Sequence, residues 1–204
     1  MEIEKMEFKD SIIFLAEHSG IEIELDEAYR GSNDLAHQLL TIHEQAANIF
    51  ADNFKTDEGK RIYEHLIQRG LSEKTIKTFN LGYSTNQKQH ILKYFQNQKY
   101  TSDALLKSGL FVDTKQGWID RFKDRIIFPI HNPTGKTIAF SGRIIKDGKI
   151  AKYVNSPETP IYHKSNVLYG LHESKHHIRT LKSVIVVEGY FDYLQLFQSG
   201  IKNI

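Results

Sequence analysis

Glu188 closes the apolar run "VIVV", is followed at once by Gly189, and stands at the head of "YFDYLQLFQ", which has the pattern of a helix. At the carboxyl end of a strand in an open α/β sheet, side chains face the crevice where ligands bind. A carboxylate placed there suits Mg²⁺, a hard cation held by one or two carboxylates plus phosphate oxygens. The ion's use would be phosphoryl transfer, where it neutralises charge on the reacting phosphate. Asp192 follows four residues later, within the first helical turn. The plainer alternative is a glutamate that caps the helix or pairs with a lysine, and "VVEG" alone favours it.

A second group is cationic. Arg121, Lys123 and Arg125 alternate, so on a strand all three would share one face. Arg143 ends "TIAFSGR", "AKYVNS" carries Lys152 and Asn155, and "YHKSN" carries Lys164. Guanidinium and ammonium groups grip phosphate, and an asparagine can reach a base or sugar. Tyr153, Tyr162 and Trp118 offer faces for base stacking, although core packing suits Trp118 better. Taken singly, each basic residue fits a solvated surface; the clustering is what points to a polyanion.

Charge supports that direction. The net charge of +2 hides a basic body behind an acidic start: residues 1–34 hold 3 basic and 10 acidic side chains, residues 35–204 hold 24 and 15. From Lys115 to Lys164 there are 10 Lys or Arg against 4 Asp or Glu. Such a stretch is a candidate phosphate-binding surface, with a mixed solvated face as the equal alternative.

Two further motifs carry less. "HESKH", His172 to His176, matches the zinc-hydrolase pattern H-E-x-x-H, but Lys175, His177 and Arg179 crowd it and no third ligand is evident. "GKT" at 135–137 echoes the end of a phosphate-binding loop, but Ile130 replaces the required earlier glycine and a strand follows instead of a helix. The chain has 204 residues and no cysteine, which excludes disulfides and thiolate chemistry and fits a reducing cytoplasm. No apolar run approaches the ~18 residues of a membrane span, and "MEIEKMEFKD" has no secretory character.

The elements that must position these groups change character near residue 110. Before it the spacing is helical: a short helix over Phe8–His18, a polar linker "EIELDEAYRGSN", a long helix from Asp34 capped by Ser32 or Asn33, a helix Asp57–Arg69 closed by Gly70, then short helices in "LSEKTIKTFNLGYS" (capped by Ser72), "NQKQHILKYFQNQ" and "TSDALLKSG". After it come two hairpins, turning at 115–117 and at 132–135, then a turn at "KDGK" into "AKYVNS", a helix near 171–181, the strand "VIVVE", a helix, and the opening of another apolar stretch in "IKNI". Strand, helix and a second apolar stretch read as the beginning of a βαβ unit, so a longer parent is expected.

The motifs "DRFKDRIIFPIHNPTGKTIAFSGRII", "KYVNSPETPIYHKSNVLYGL" and "VVEGYFD", in that order and spacing, resemble the catalytic core of bacterial DnaG-type DNA primases. "LIQRGLSEKTIKTFNLGYS" resembles the helical segment that precedes them, and the likeness covers most of residues 57–204. The resemblance implies a mixed α+β fold: a helical N-terminal part, an antiparallel-rich basic subdomain and the start of a Toprim-like parallel α/β unit. It divides the chain into 1–33, the end of a zinc-binding domain and its linker; 34–181, the N-terminal subdomain of the core; and 182–204, the start of the Toprim subdomain. It implies synthesis of short RNA primers on single-stranded template during replication, with nucleoside triphosphates as substrates, Mg²⁺ or Mn²⁺ as cofactor and the replicative helicase as a partner engaged elsewhere in the parent.

Residue by residue, Arg143, Lys152, Asn155 and Lys164 match the family's nucleic-acid and nucleotide groove, with Arg69 of "RGL", Arg121 and Arg125 in the same region. Glu188 matches the Toprim glutamate, a metal ligand or acid–base group, and Asp192 the aspartate of that motif. The family's cysteine-bearing zinc domain is not in evidence here, and further Toprim carboxylates are expected beyond residue 204. This fragment is therefore expected to bind nucleic acid without polymerising. His131 stands where the family has a basic or polar residue and could face phosphate when protonated, and Ser141 replaces a small residue in "SGR". The competing readings are a non-catalytic single-strand-binding module of the same fold and, from "HESKH", a zinc hydrolase.

Overall fold

The computed structural model describes residues 27–145 and 151–204. The helix expected over Phe8–His18 and the "KDGK" turn lie outside those residues. The chain runs α1 (Glu27–Asp52), a 3₁₀ turn (Asn53–Lys55), α2 (Asp57–Gln68), α3 (Glu73–Thr78), β1 (Gly82–Ser84), α4 (His90–Gln96) and α5 (Ser102–Lys107). It continues through β2 (Phe111–Thr114), β3 (Gly117–Asp120), β4 (Arg125–His131), β5 (Thr137–Ile144) and β6 (Tyr153–Asn155) to a 3₁₀ turn (Lys164–Asn166), α6 (Leu171–Leu181) and α7 (Tyr190–Gln198).

Local chemistry sets the helix boundaries. Thr56, Ser72 and Thr101 each accept a backbone N–H with the side-chain hydroxyl at the start of α2, α3 and α5, filling one orphan donor per helix. No such hydroxyl stands before α4. There Asp120, at the end of β3, accepts from Ile91 N at 2.9 Å and Leu92 N at 3.0 Å, so a strand caps a helix distant in sequence. The expected linker is corrected: α1 begins at Glu27, and Ser32 and Asn33 lie inside it instead of capping it. Glu27, Ala28 and Arg30 are good enough helix formers to carry the helix back past Gly31.

An antiparallel sheet of order β1-β4-β5-β6 forms the centre, and β2 pairs with β3 in a separate hairpin. β4 and β5 pair along their whole length around the Asn132–Gly135 turn, and every β4 residue from Arg125 to Ile130 is buried. That burial arises because the sheet is covered on both faces. Ile127 and Phe140 pack with Ile42, Ala46 and Phe50 of α1, while Ile126 and Phe128 pack with Phe191 and Leu194 of α7. Burying a side chain of this size is worth roughly 1.5–3 kcal/mol, so these two clusters fix α1 and α7 against the sheet.

Two strand expectations need correction. Residues 121–124 are not strand: β3 ends at Asp120, β4 starts at Arg125, and Asp124 sits in the left-handed region at φ 52°. Arg121, Lys123 and Arg125 therefore do not line one strand face. "VIVVE" forms no strand either. Its one ladder-like contact is Ile185 N donating to Asn203 O at 2.8 Å, and Val186 is 81% exposed. A single neighbour supplies too few hydrogen bonds to make a ladder.

Candidate nucleic-acid interface

The cationic and acidic motifs meet through one face of α7. Phe191, Gln195 and Gln198 follow at i, i+4 and i+7 and so share a helix face. That face docks on the turn between α2 and α3. Gln195 Nε2 donates to Arg69 O at 3.2 Å, and Gln198 Nε2 donates to Gly70 O at 2.6 Å. Gln198 Oε1 accepts from Ser72 N and from Thr75 Oγ1. The Arg69 guanidinium then lies 4.4 Å from the centre of the Phe191 ring.

Arg143 reaches the same ring from the sheet. On β5 it is paired with Tyr153 of β6, and its guanidinium stands 4.9 Å from the Phe191 ring centre and 5.9 Å from that of Tyr153. It is 9% exposed, its Nε has no partner, and no carboxylate lies within ion-pair distance among the described residues. Burying an unpaired cation is costly, and the aromatic faces offset part of that cost. Burial raises the Tyr153 hydroxyl's pKa above its ordinary value, opposed by the fields of Arg143 and Arg69.

Lys152 precedes Tyr153 and is exposed; Asn155, opposite Ser141 in the ladder, is exposed as well. Arg125 differs from these. It is 6% exposed, and its Nη1 donates to Gly142 O at 3.2 Å, Ala151 O at 3.0 Å and Lys152 O at 3.4 Å. Desolvation holds its guanidinium below its usual pKa. Its geometry is that of a brace holding the Lys152 backbone to β5. Arg121 is half-buried with Nε unpaired and its pKa likewise lowered by burial. Lys164 is exposed in its 3₁₀ turn, where its backbone N–H and the His163 ring both engage Glu158. Tyr162 is buried beside Ile130 and Ile138, so it is a core residue with no face free for a base, and Trp118 packs against the first core cluster.

Glu188 is exposed and lines a cleft of about 480 Å³ together with Tyr153, Asn155, Val186 and Tyr190. Asp192 folds back over the turn: a Cβ at Gly189 would sit 2.5 Å from Asp192 Oδ2, so a larger residue there would push the carboxylate aside. One exposed carboxylate with a second close by fits part of a divalent-cation site. Among the described residues no group of three or more His, Cys, Asp or Glu could hold an ion unaided.

The remaining motifs resolve structurally. His131 Nδ1 lies 3.2 Å from Glu173 Oε1 in a largely buried pair, so His131 faces a carboxylate and not a phosphate. His172 Nδ1 sits 3.1 Å from Pro133 O, and Lys175 Nζ donates to the same carbonyl. "HESKH" thus docks α6 on the Asn132–Gly135 turn. Sequence reading missed Phe191, whose value lies in what crosses it, and missed Lys88, which joins Lys115 and Lys123 of the basic stretch. These three exposed lysines line one hollow of about 400 Å³ beside the β2–β3 hairpin and have no ion pair among the described residues. The clue available was the +6 stretch itself, which includes Lys115 and Lys123.

Comparison with known proteins places this geometry. The family described as "DNA primase catalytic core, N-terminal domain" matches residues 49–175. The DNA primase of Clostridium acetobutylicum is 34% identical over all of the chain, that of Pasteurella multocida 37% over 98%, and that of Helicobacter pylori 35% over all of it. In each case the chain spans about a third of the relative's length. Among solved structures, a DnaG primase catalytic domain bound to ssDNA superposes at TM-score 0.77 with 31% identity, over 84% of this chain and 53% of that one. The RNA polymerase domain of Mycobacterium tuberculosis primase, in complex with a double-stranded DNA carrying a 6-nucleotide overhang, gives 0.77 with 29% identity over 82% and 53%. The Aquifex aeolicus primase, with zinc-binding and RNA polymerase domains, gives 0.74 with 28% identity over 96% and 46%.

Proposed function

The chain belongs to the DnaG-type DNA primases, and on that footing we propose that it forms the template-holding part of a primase catalytic core. The parent protein would synthesise short RNA primers on single-stranded DNA during replication in the cytoplasm, from nucleoside triphosphates. The observation that carries this reading is the convergence of Arg69 and Arg143 on the Phe191 ring, three residues after Glu188.

In this reading Arg143, Arg69, Lys152 and Lys164 contact phosphates, and Asn155 contacts a base or sugar. Arg125 and Arg121 shape the groove, Arg125 by holding the Lys152 backbone. Tyr153 and Tyr190 wall the cleft beside Glu188. A divalent cation, Mg²⁺ or Mn²⁺, would be held by Glu188 with carboxylates from the rest of the parent, Asp192 standing behind it; bound there, it would neutralise charge on the transferring phosphate. The zinc-binding domain and helicase contact belong to other parts of the parent.

Single-stranded oligonucleotide binding by fluorescence anisotropy, titrated with salt, tests the groove. Arg143→Gln and Arg69→Gln should each weaken binding and each flatten the log–log salt slope by about 0.7. Affinity and slope unchanged in both variants would overturn the assignment. The second reading, a binding module without chemistry, draws on the incomplete carboxylate set among the described residues. A parent protein that binds single-stranded DNA yet makes no primers from nucleoside triphosphates and Mg²⁺ would favour it.

A further inference from the structure

Phe191 is the residue on which both arginines depend, and the proposed function gives it no role. We propose that Phe191 is a positioning residue: its ring fixes the Arg69 and Arg143 guanidiniums in place for phosphate, and so ties the template cations to the Glu188 turn. The inference rests on the proposed groove for its consequence, though not for its geometry.

Neither Arg69 nor Arg143 has a carboxylate within 4.0 Å among the described residues. Arginines that must receive a phosphate cannot be held by an ion pair, because the carboxylate would compete for the same donors. They still need fixing, since a free arginine side chain samples many rotamers and loses that freedom when it grips a phosphate. An aromatic face holds the planar cation while leaving its edge donors free. Phe191 supplies that face at 4.4 Å and 4.9 Å. The ring is itself rigid: it is 7% exposed and packed on Phe128 with centroids 5.6 Å apart.

Phe191 also links separate parts of the fold. Arg69 comes from the α2–α3 turn, Arg143 from β5, and Phe191 from α7, so one ring joins elements remote in sequence. Gln195 and Gln198, on the same face of α7, bind the Arg69 and Gly70 carbonyls. A shift of the Glu188–Gly189 turn that moved α7 would therefore move both cations with it. On the proposed groove, binding at the acidic site and grip on the template become coupled through Phe191, with Gln195 and Gln198 holding the Arg69 turn to the same helix.

Substitutions separate the ring's electrostatics from its bulk. Phe191→Leu keeps an apolar side chain of similar reach and removes the π face; Phe191→Tyr keeps the face. In the 204-residue chain, Phe191→Leu should weaken single-stranded DNA binding by about tenfold, the loss of two cation–π contacts of modest strength. Phe191→Tyr should restore binding to within about twofold. In an Arg69→Gln/Arg143→Gln background, Phe191→Leu should have no further effect. An equal loss in that background would mean that the ring is merely structural and would overturn the proposal.

A second readout needs no DNA. The Nε–H resonances of Arg69 and Arg143 should carry ring-current shifts from Phe191 that are lost in Phe191→Leu, Arg143 keeping only the Tyr153 contribution, and persist in Phe191→Tyr. If the wild type binds no oligonucleotide, the groove reading fails, and these resonances alone decide whether the ring positions the arginines. Resonances unchanged by Phe191→Leu would refute it.

Discussion

Gln198 Oε1 accepts a hydrogen bond from the backbone N–H of Ser72 at 3.0 Å, closing a contact across 126 positions of chain. The same side chain donates to Gly70 O. The amide thus reads both polarities of one turn, which a carboxylate or an apolar group cannot do. Gln198→Leu should lower stability by about 1 kcal/mol, because the partners are largely solvent-exposed and water replaces the lost bonds. It should also weaken single-stranded DNA binding through the displaced Arg69. Urea denaturation and anisotropy on the same preparation check both effects; stability lost with full affinity retained would uncouple the turn from the groove.

Lys152 and Lys164 are exposed cations on either side of Asn155 in sequence. If both touch template phosphates, Lys152→Ala and Lys164→Ala should each reduce the salt slope for single-stranded DNA by about 0.7. Substitution of Lys107, which is paired with Asp103 at 2.8 Å on α5, serves as control and should leave the slope unchanged.

Asp120 links the two folding patterns of the chain. Both of its oxygens accept from the start of α4, although burial raises the carboxyl's pKa against those bonds. Removing it leaves buried donors without partners, so Asp120→Ala should cost about 2–3 kcal/mol. At this chain length that is a fall in melting temperature of roughly 4–12 °C, read by circular dichroism.

His43 makes stability pH-dependent. Its ring is fully buried in α1, with Nε2 2.7 Å from Ser108 O, and burial pushes its pKa down from 6.5 to about 4. The folded state binds fewer protons than the unfolded state between those values. Stability from the neutral ring is therefore whole above pH 6.5 and is lost as pH falls toward 4, by about 3 kcal/mol in all. Urea midpoints at pH 7.5 and 4.5 should differ more in the wild type than in His43→Gln. Equal differences would show that the ring titrates normally.

Gly170 precedes α6 at φ 76°, with the Tyr193 ring against its open face. Tyr193 Oη donates to Gly170 O at 2.9 Å and meets Ser174 Oγ at 2.8 Å. Gly170→Ala adds a methyl where the ring lies and imposes an unfavourable backbone angle. A loss of about 3 kcal/mol or more is expected, and thermal melting is the check.

What the sequence disclosed follows the range of the interactions involved. The Ser72 cap, the Asn132–Gly135 turn and the α6 span were legible because their causes sit within a few residues of their effects. The buried stripe of α1 was legible for the same reason, as Leu39, Ile42, Ala46 and Phe50 recur at helical spacing. "VIVVE" misled because a strand is a pairing, and its composition could not announce how few partners it has. The Arg121–Arg125 alternation misled because Asp124 turns left-handed, and nothing short of the Asp124 N to Thr85 O contact signals it. Arg143 stands out by its motif, whereas the Phe191 contacts arise only where segments remote in sequence cross.

The bare segment at 184–186 also bears on how the protein must be handled. Val184, Ile185 and Val186 are 53%, 41% and 81% exposed, and their backbone is nearly free of internal partners. Exposed apolar side chains in a contiguous strip favour contact with one another, so concentrated stocks of the chain should self-associate through this rim, and sedimentation at rising concentration would reveal it. A charged residue in place of Val186 would keep the solution monodisperse without touching the arginines.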